Sequence, residues 1–147
     1  MFPVTFRQFR HLQYDDRCRA VTVIYARGTT QAGNVGEADS EGPTFFNALA
    51  SSLGGVDQLA IQGVDYPANV FGFLANGDDD GATAMFDLIN LAVTQCPTTK
   101  IVVSGYSQGA QLVHTATQRL SAENAAKVSA GKFVPYLDVG PAQTNDE

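Results

Sequence analysis

The segment that most constrains this chain is VSGYSQGAQ at residues 103–111. Gly105, Ser107 and Gly109 fill a G-x-S-x-G pattern, with the β-branched run KIVV before it and the helical pattern QGAQLVHTATQRL after it. A serine on so sharp a turn adopts a strained backbone, and glycine two residues to either side lets strand and helix approach closely. The helix that follows aims its free N–H groups and the positive end of its dipole at Ser107. These are groups that stabilise negative charge developing on a carbonyl oxygen. The competing reading, a surface turn with an incidental serine, leaves the strand before it and the helix after it without a reason.

The rest of the chain repeats that alternation. Residues 20–26, AVTVIYA, form a short β-branched run followed by the loop RGTTQAGNVG. Residues 43–53 carry apolar side chains at helical spacing and stop at Gly54-Gly55. DQLAIQGV reads as a second strand and DYPANVFGFLANGDDDG as a long loop. Asp79 or Asp80 is placed to cap a helix through ATAMFDLINLAVTQC, in which Met85, Leu88, Ile89 and Ala92 share a face. KIVVSGY is the third strand. Strands separated by helices imply parallel βαβ units with right-handed crossovers and helices on both faces, an α/β fold of three layers. SAENAAKVSA is short and helix-like, and GKFVPYLDVGPAQTNDE has no period. The expectation is an α/β domain at 18–130, a preceding extension at 1–17 and a divergent tail at 131–147. Its sheet is incomplete: three-stranded, with an uncovered edge on the last strand.

A chain of 147 residues is long enough for one domain with a core. A net charge of −6 with no basic cluster excludes nucleic acid and anionic membranes as partners. No apolar run reaches the length of a membrane span, and Arg7 and Arg10 interrupt the N-terminal stretch where a signal peptide needs an unbroken apolar segment. Cys18 and Cys96 are too few for a cysteine zinc site, the glycine-rich loop lacks a P-loop lysine, and no metal or cofactor is expected. The cysteines are two buried thiols or one disulfide. Each precedes a β-rich run, so parallel neighbouring strands would bring them to the same end of a sheet.

A nucleophilic serine needs a general base within hydrogen-bond reach. The sequence holds two histidines, His11 and His114. His114 lies seven positions along the helix from Ser107, roughly 10 Å along its axis, well beyond a hydrogen bond. It reads as a helix-face residue, and His11 as a solvated residue of the N-terminal segment.

VIYARGTTQAGNVG, GVDYP, GFLANGDDDG and CPTTKIVVSGYSQGAQLVH, in this order and spacing, resemble the fungal cutinase family of secreted serine esterases, and its cutinase-like members above all. The resemblance covers roughly residues 18–130. It implies that Ser107 is the nucleophile, that Gln108 gives its backbone N–H to an oxyanion hole, and that Thr29 supplies the second oxyanion donor. It also implies that Cys18 and Cys96 pair. Val70, Phe71, Phe73 and Leu74 are either the rim of an acyl-chain site or ordinary core. The implied protein is an extracellular, monomeric carboxylic ester hydrolase. It needs no cofactor and cleaves aliphatic, cutin-type esters through an acyl-serine intermediate. An acetylxylan esterase shares fold and motif, and a non-catalytic fragment is the reading from another class. The resemblance stops at Gly131, before the family's catalytic aspartate and histidine, and nothing aligns Asp138 with that aspartate. That pair is expected in a stretch of the gene this chain does not represent, which a transcript read across the codons for residues 130 and 131 tests.

Overall fold

The computed structural model describes residues 18–130. The expected extension at 1–17 and tail at 131–147 lie outside the described residues, and His11 and Asp138 with them. The strands are β1 (Val21–Ala26), β2 (Leu59–Gly63), β3 (Lys100–Gly105) and β4 (Val128–Ala130). The helices are α1 (Glu41–Ser52), α2 (Val70–Leu74), α3 (Asp79–Gln95), α4 (Gln108–Gln118) and α5 (Ala122–Lys127). The strands form one parallel sheet in the order β2-β1-β3-β4.

Every residue of β1 is buried, because it runs between β2 and β3 with helices on both faces. Side chains alternate across the sheet, so two cores form. Ile24 and Ala26 of β1 with Ile101 and Val103 of β3 meet Met85, Ile89 and Ala92 of α3 and Leu112, Val113 and Ala116 of α4. Val21, Val23 and Tyr25 with Val102 meet Phe46 and Ala50 of α1 on the opposite face. Helices, sheet and helix make the three layers that the strand and helix pattern implies. The predicted face of α3 also holds, with Leu88 packed at the rim of its core.

Four details differ from the sequence-based expectation. The sheet has a fourth strand, and β3 is interior: Ile101 pairs with Val128 and Val102 with Ala130. The edge strands are β2 and β4. The predicted loop contains α2, whose first turn Asn69 caps by accepting the Gly72 N–H at 2.9 Å. Asp78, rather than Asp79 or Asp80, caps α3, accepting the Gly81 N–H at 2.6 Å. Finally α1 starts at Glu41, before Pro43, because a proline in the first turn loses no helical hydrogen bond.

Cys18 and Cys96 form a disulfide, their Cα atoms 5.5 Å apart. They sit just before β1 and β3, whose parallel pairing aligns Val21 with Lys100. The bridge thus pins the amino ends of the two central strands, and the other end of the sheet is left to the loops that carry the site.

Candidate active site

The register aligns Ala26, the last residue of β1, with Gly105, the last of β3. Their following loops therefore emerge side by side at the carboxyl edge, where open parallel sheets bind ligands. Ser107 lies one residue, Tyr106, beyond β3 and directly precedes α4, with φ 54° and ψ −116°. That conformation is sparsely populated for a residue with a Cβ and costs about 1–3 kcal/mol. The neighbours enforce it. The Tyr106 N–H donates to the Ala26 carbonyl at 3.1 Å, and the Gly109 N–H donates to the Tyr106 carbonyl at 2.8 Å. A Cβ on Gly105 would lie 2.3 Å from the Gly109 carbonyl oxygen, and one on Gly109 would lie 2.0 Å from that of Ala26. Both glycines of the pattern are thus required by backbone contact. Gln108 opens α4 directly after Ser107, and its N–H belongs to the first turn, whose N–H groups have no intrahelical partner.

The loop after β1 packs onto this elbow. Its Gly28 lies so close to the Tyr106 ring that a Cβ there would stand 2.7 Å from Cδ1. The Gly28 N–H donates to Gln31 Oε1 at 2.7 Å, and Gln31 Nε2 donates to Glu41 Oε2 at 2.7 Å. Thr30 has φ 64° and donates its N–H to the Ala68 carbonyl at 2.7 Å. Thr29, between them, is half-buried. Its Oγ1 is buried without a hydrogen-bond partner. The structure thus brings the loop of Thr29 against the elbow of Ser107 and Gln108. His114 is exposed on α4, seven positions along the helix from Ser107.

Four further residues build this edge, and sequence reasoning missed them. Arg27 is 8% exposed. Its Nε donates to the Gln31 carbonyl at 2.7 Å, and its Nη2 to the Tyr66 carbonyl at 2.8 Å. The Tyr66 hydroxyl donates back to the Arg27 carbonyl. Burial pushes the Tyr66 hydroxyl well above the usual tyrosine range; the charge of Arg27 opposes the shift and that of Asp78 adds to it. Gln31 and Asn69 complete the set. The Gln108 side chain, fully buried, donates from Nε2 to the Asn69 carbonyl at 2.7 Å. A charged residue directly after a β-branched run, and an Asn three residues before Gly72, were the signals available in the sequence.

The α2 segment settles the alternative left open for its apolar residues. Val70, Phe71, Phe73 and Leu74 are 52%, 83%, 42% and 73% exposed, so they are surface and not core. A cleft of about 510 Å³ runs between α2 and α4, lined by Asn69, Phe71, Gly72, Asp78 and Thr115 among others. Ser107 is not among its lining residues. Among the described residues no group of His, Cys, Asp and Glu is placed to hold a metal ion, and no helix is long and apolar enough to cross a membrane.

Comparison with known proteins agrees with this geometry. A family model described as Cutinase matches residues 17–136. A cutinase of Botryotinia fuckeliana is 50% identical over 123 residues, which are 84% of this chain and 59% of that protein. A Trichoderma reesei cutinase solved in complex with a C11Y4 phosphonate inhibitor is similar with a TM-score of 0.70 at 42% identity, over 77% of this chain and 50% of that one. An acetyl xylan esterase is similar with a TM-score of 0.58 at 25% identity, over 76% of this chain and 60% of that one. The chain spans 52% and 59% of two curated relatives that it matches. The elbow, the disulfide-pinned parallel sheet and these similarities agree: the chain belongs to the cutinase family.

Proposed function

We propose that this chain carries the nucleophile and the oxyanion hole of a serine carboxylic ester hydrolase acting on aliphatic, cutin-type esters. The observation that carries the reading is Ser107 itself, held at a positive φ at the head of α4 by glycines that cannot accept a side chain. In this reading Ser107 Oγ attacks the ester carbonyl carbon and its proton passes to a base outside residues 18–130. The carbonyl oxygen becomes an oxyanion, which the N–H of Gln108 and the donors of Thr29 stabilise. Collapse of the tetrahedral intermediate breaks the bond to the alcohol oxygen, which leaves with the proton. Water then hydrolyses the acyl-serine by the same steps. The buried, unpartnered Oγ1 of Thr29 supports its role, since a hydroxyl in that state keeps a donor for an incoming oxygen.

The exposed apolar face of α2 supports an aliphatic acyl group. Likeness to an acetyl xylan esterase favours a second reading, an acetyl ester on a sugar. A disulfide at the amino ends of the central strands suits an oxidising, extracellular setting. The test is hydrolysis of p-nitrophenyl butyrate, with labelling by an alkyl phosphonate. In the full-length protein that carries the base, Ser107→Ala is expected to lower hydrolysis by about 10⁴-fold or more and to abolish the label. A label that persists in Ser107→Ala overturns the assignment, and faster turnover of acetylated xylan than of the butyrate favours the second reading.

A further inference from the structure

Nothing in the core explains a guanidinium at position 27. The apolar residues of β1 end at Ala26 and both faces of the strand are already covered. Burying a cation costs free energy unless its donors are satisfied in good geometry. A methionine would fill similar space without that cost. Yet Arg27 is 8% exposed, and its Nε and Nη2 donate to main-chain carbonyls rather than to a carboxylate. What Arg27 has instead is a planar fork set between two loops. Nε donates to Gln31, at the far end of the loop that holds Thr29, and Nη2 donates to Tyr66, beyond β2. Its Cζ lies 5.1 Å from the centroid of the Tyr66 ring, over the ring face. The Tyr66 hydroxyl closes the ring of contacts by donating to the Arg27 carbonyl, and the same carbonyl would crowd a Cβ on Gly109 at 2.9 Å. Each contact fixes a different part of one unit. The fork sets the width of the loop, the stacked ring sets the plane of the fork, and the hydroxyl sets the backbone that leans on the start of α4.

We propose that Arg27, braced by Tyr66, is a positioning residue for the oxyanion hole: it holds the loop of Thr29 at the spacing from the elbow that the transition state needs. The inference rests on the oxyanion role proposed for Thr29 and goes beyond it by naming what pre-organises that loop. Lysine cannot replace the arginine, because an ammonium is a point charge that neither spans two carbonyls as a fork nor stacks on a ring. Displacement of an oxyanion donor acts on the transition state more than on ester binding.

The experiment compares the full-length parent, which carries the base, with its Arg27→Lys and Tyr66→Phe variants. It reads kcat and KM on p-nitrophenyl butyrate and the exchange rates of the Gly28, Thr29 and Thr30 amides. Arg27→Lys is expected to lower kcat about 10- to 100-fold with KM within about twofold. Its loop amides exchange at least about tenfold faster, with those of β1 and β3 unchanged. Tyr66→Phe, which keeps the ring and the core, shifts both readouts the same way by a smaller factor and decides the matter if the lysine variant does not fold. Unchanged loop exchange in the folded variants overturns the proposal, as does a loss expressed in KM alone. Hydrolysis that survives Ser107→Ala sinks the functional reading instead. The loop exchange still decides whether Arg27 sets the loop.

Discussion

The carboxyl edge of β1 and β3 and the helix α2 meet at Gln108 and Asn69, and they are held in opposite ways. At the edge the fit is backbone against backbone at Gly105 on Gly109 and Gly109 on Ala26, and backbone against ring at Gly28 under Tyr106, with no room for one added carbon. In α2 the backbone is held by the Asn69 cap, the Gln108 amide and two long contacts of Gln111 Nε2 to Phe73 and Asn76, each 3.4 Å. Its large side chains face outward. The difference separates two requirements. Geometry for a reaction depends on atoms that must not move, and the edge proposed to carry it is built largely from main chain and glycine. A surface proposed to meet acyl chains of varied shape needs area more than position, and α2 offers exposed side chains on a short helix held by few bonds.

The hardest way to break that contrast is to insert a carbon on the rigid side. Gly109→Ala puts a Cβ 2.0 Å from a main-chain oxygen of a buried central strand, so either β1 or α4 must move. The expected loss exceeds about 5 kcal/mol, enough to leave much of the chain unfolded. Circular dichroism and urea unfolding read this directly. A folded variant with parent stability would show that the edge is softer than its contacts imply.

A weaker blow falls on the opposite end of the same strands. The disulfide closes a separation of 78 residues, and reduction is expected to cost about 4 kcal/mol. Because it acts at the amino ends of β1 and β3, the loss should appear in the denaturation midpoint while Ser107 still takes up an alkyl phosphonate at the parent rate below that midpoint. Slowed uptake in the reduced, folded protein would mean that the two ends of the sheet are not independent.

The same contrast decides what was legible in the sequence. β1, β2, β3, α1, α3 and α4 announce themselves by period or by β-branched runs, and Gly105, Ser107 and Gly109 by spacing, since local chemistry dictates each. β4 and α2 are too short for either period to register, and α2 lies within a stretch whose Gly, Asn and Asp residues read as loop. Asp78 rather than Asp79 caps α3 because the choice turns on one residue of helix start. Arg27 and Tyr66, and likewise Asn69 and Gln108, are 39 positions apart. Their pairing exists only once β1, β2 and β3 lie side by side, and no local pattern encodes it.

Ser107 offers a smaller and opposite effect. Its φ of 54° with ψ of −116° is a cost carried by the folded chain, and glycine relieves it. Ser107→Gly should therefore raise stability by about 1 kcal/mol while removing the proposed nucleophile, which would be an exchange of function for stability at one position. A variant no more stable than the parent in urea would show that the strain is shared out along residues 105–109 rather than concentrated at Ser107.

The smallest stability effect belongs to α2, and it is the sharpest test of the comparison. Phe71 is 83% exposed and makes little of the core, so Phe71→Ser should shift the unfolding free energy by no more than about 0.5 kcal/mol. If the segment supplies apolar area to an acyl chain, the variant loses contact with a long chain and none with a short one. The ratio of kcat/KM for p-nitrophenyl hexanoate over the acetate should then fall roughly tenfold, the discrimination that apolar contacts of this kind provide. An unchanged ratio would assign the acyl chain to another surface and leave α2 as exposed apolar area without a part in substrate choice. A large loss of stability would instead place Phe71 on the rigid side of the molecule, and the distinction between the two regions would fail at its simplest point.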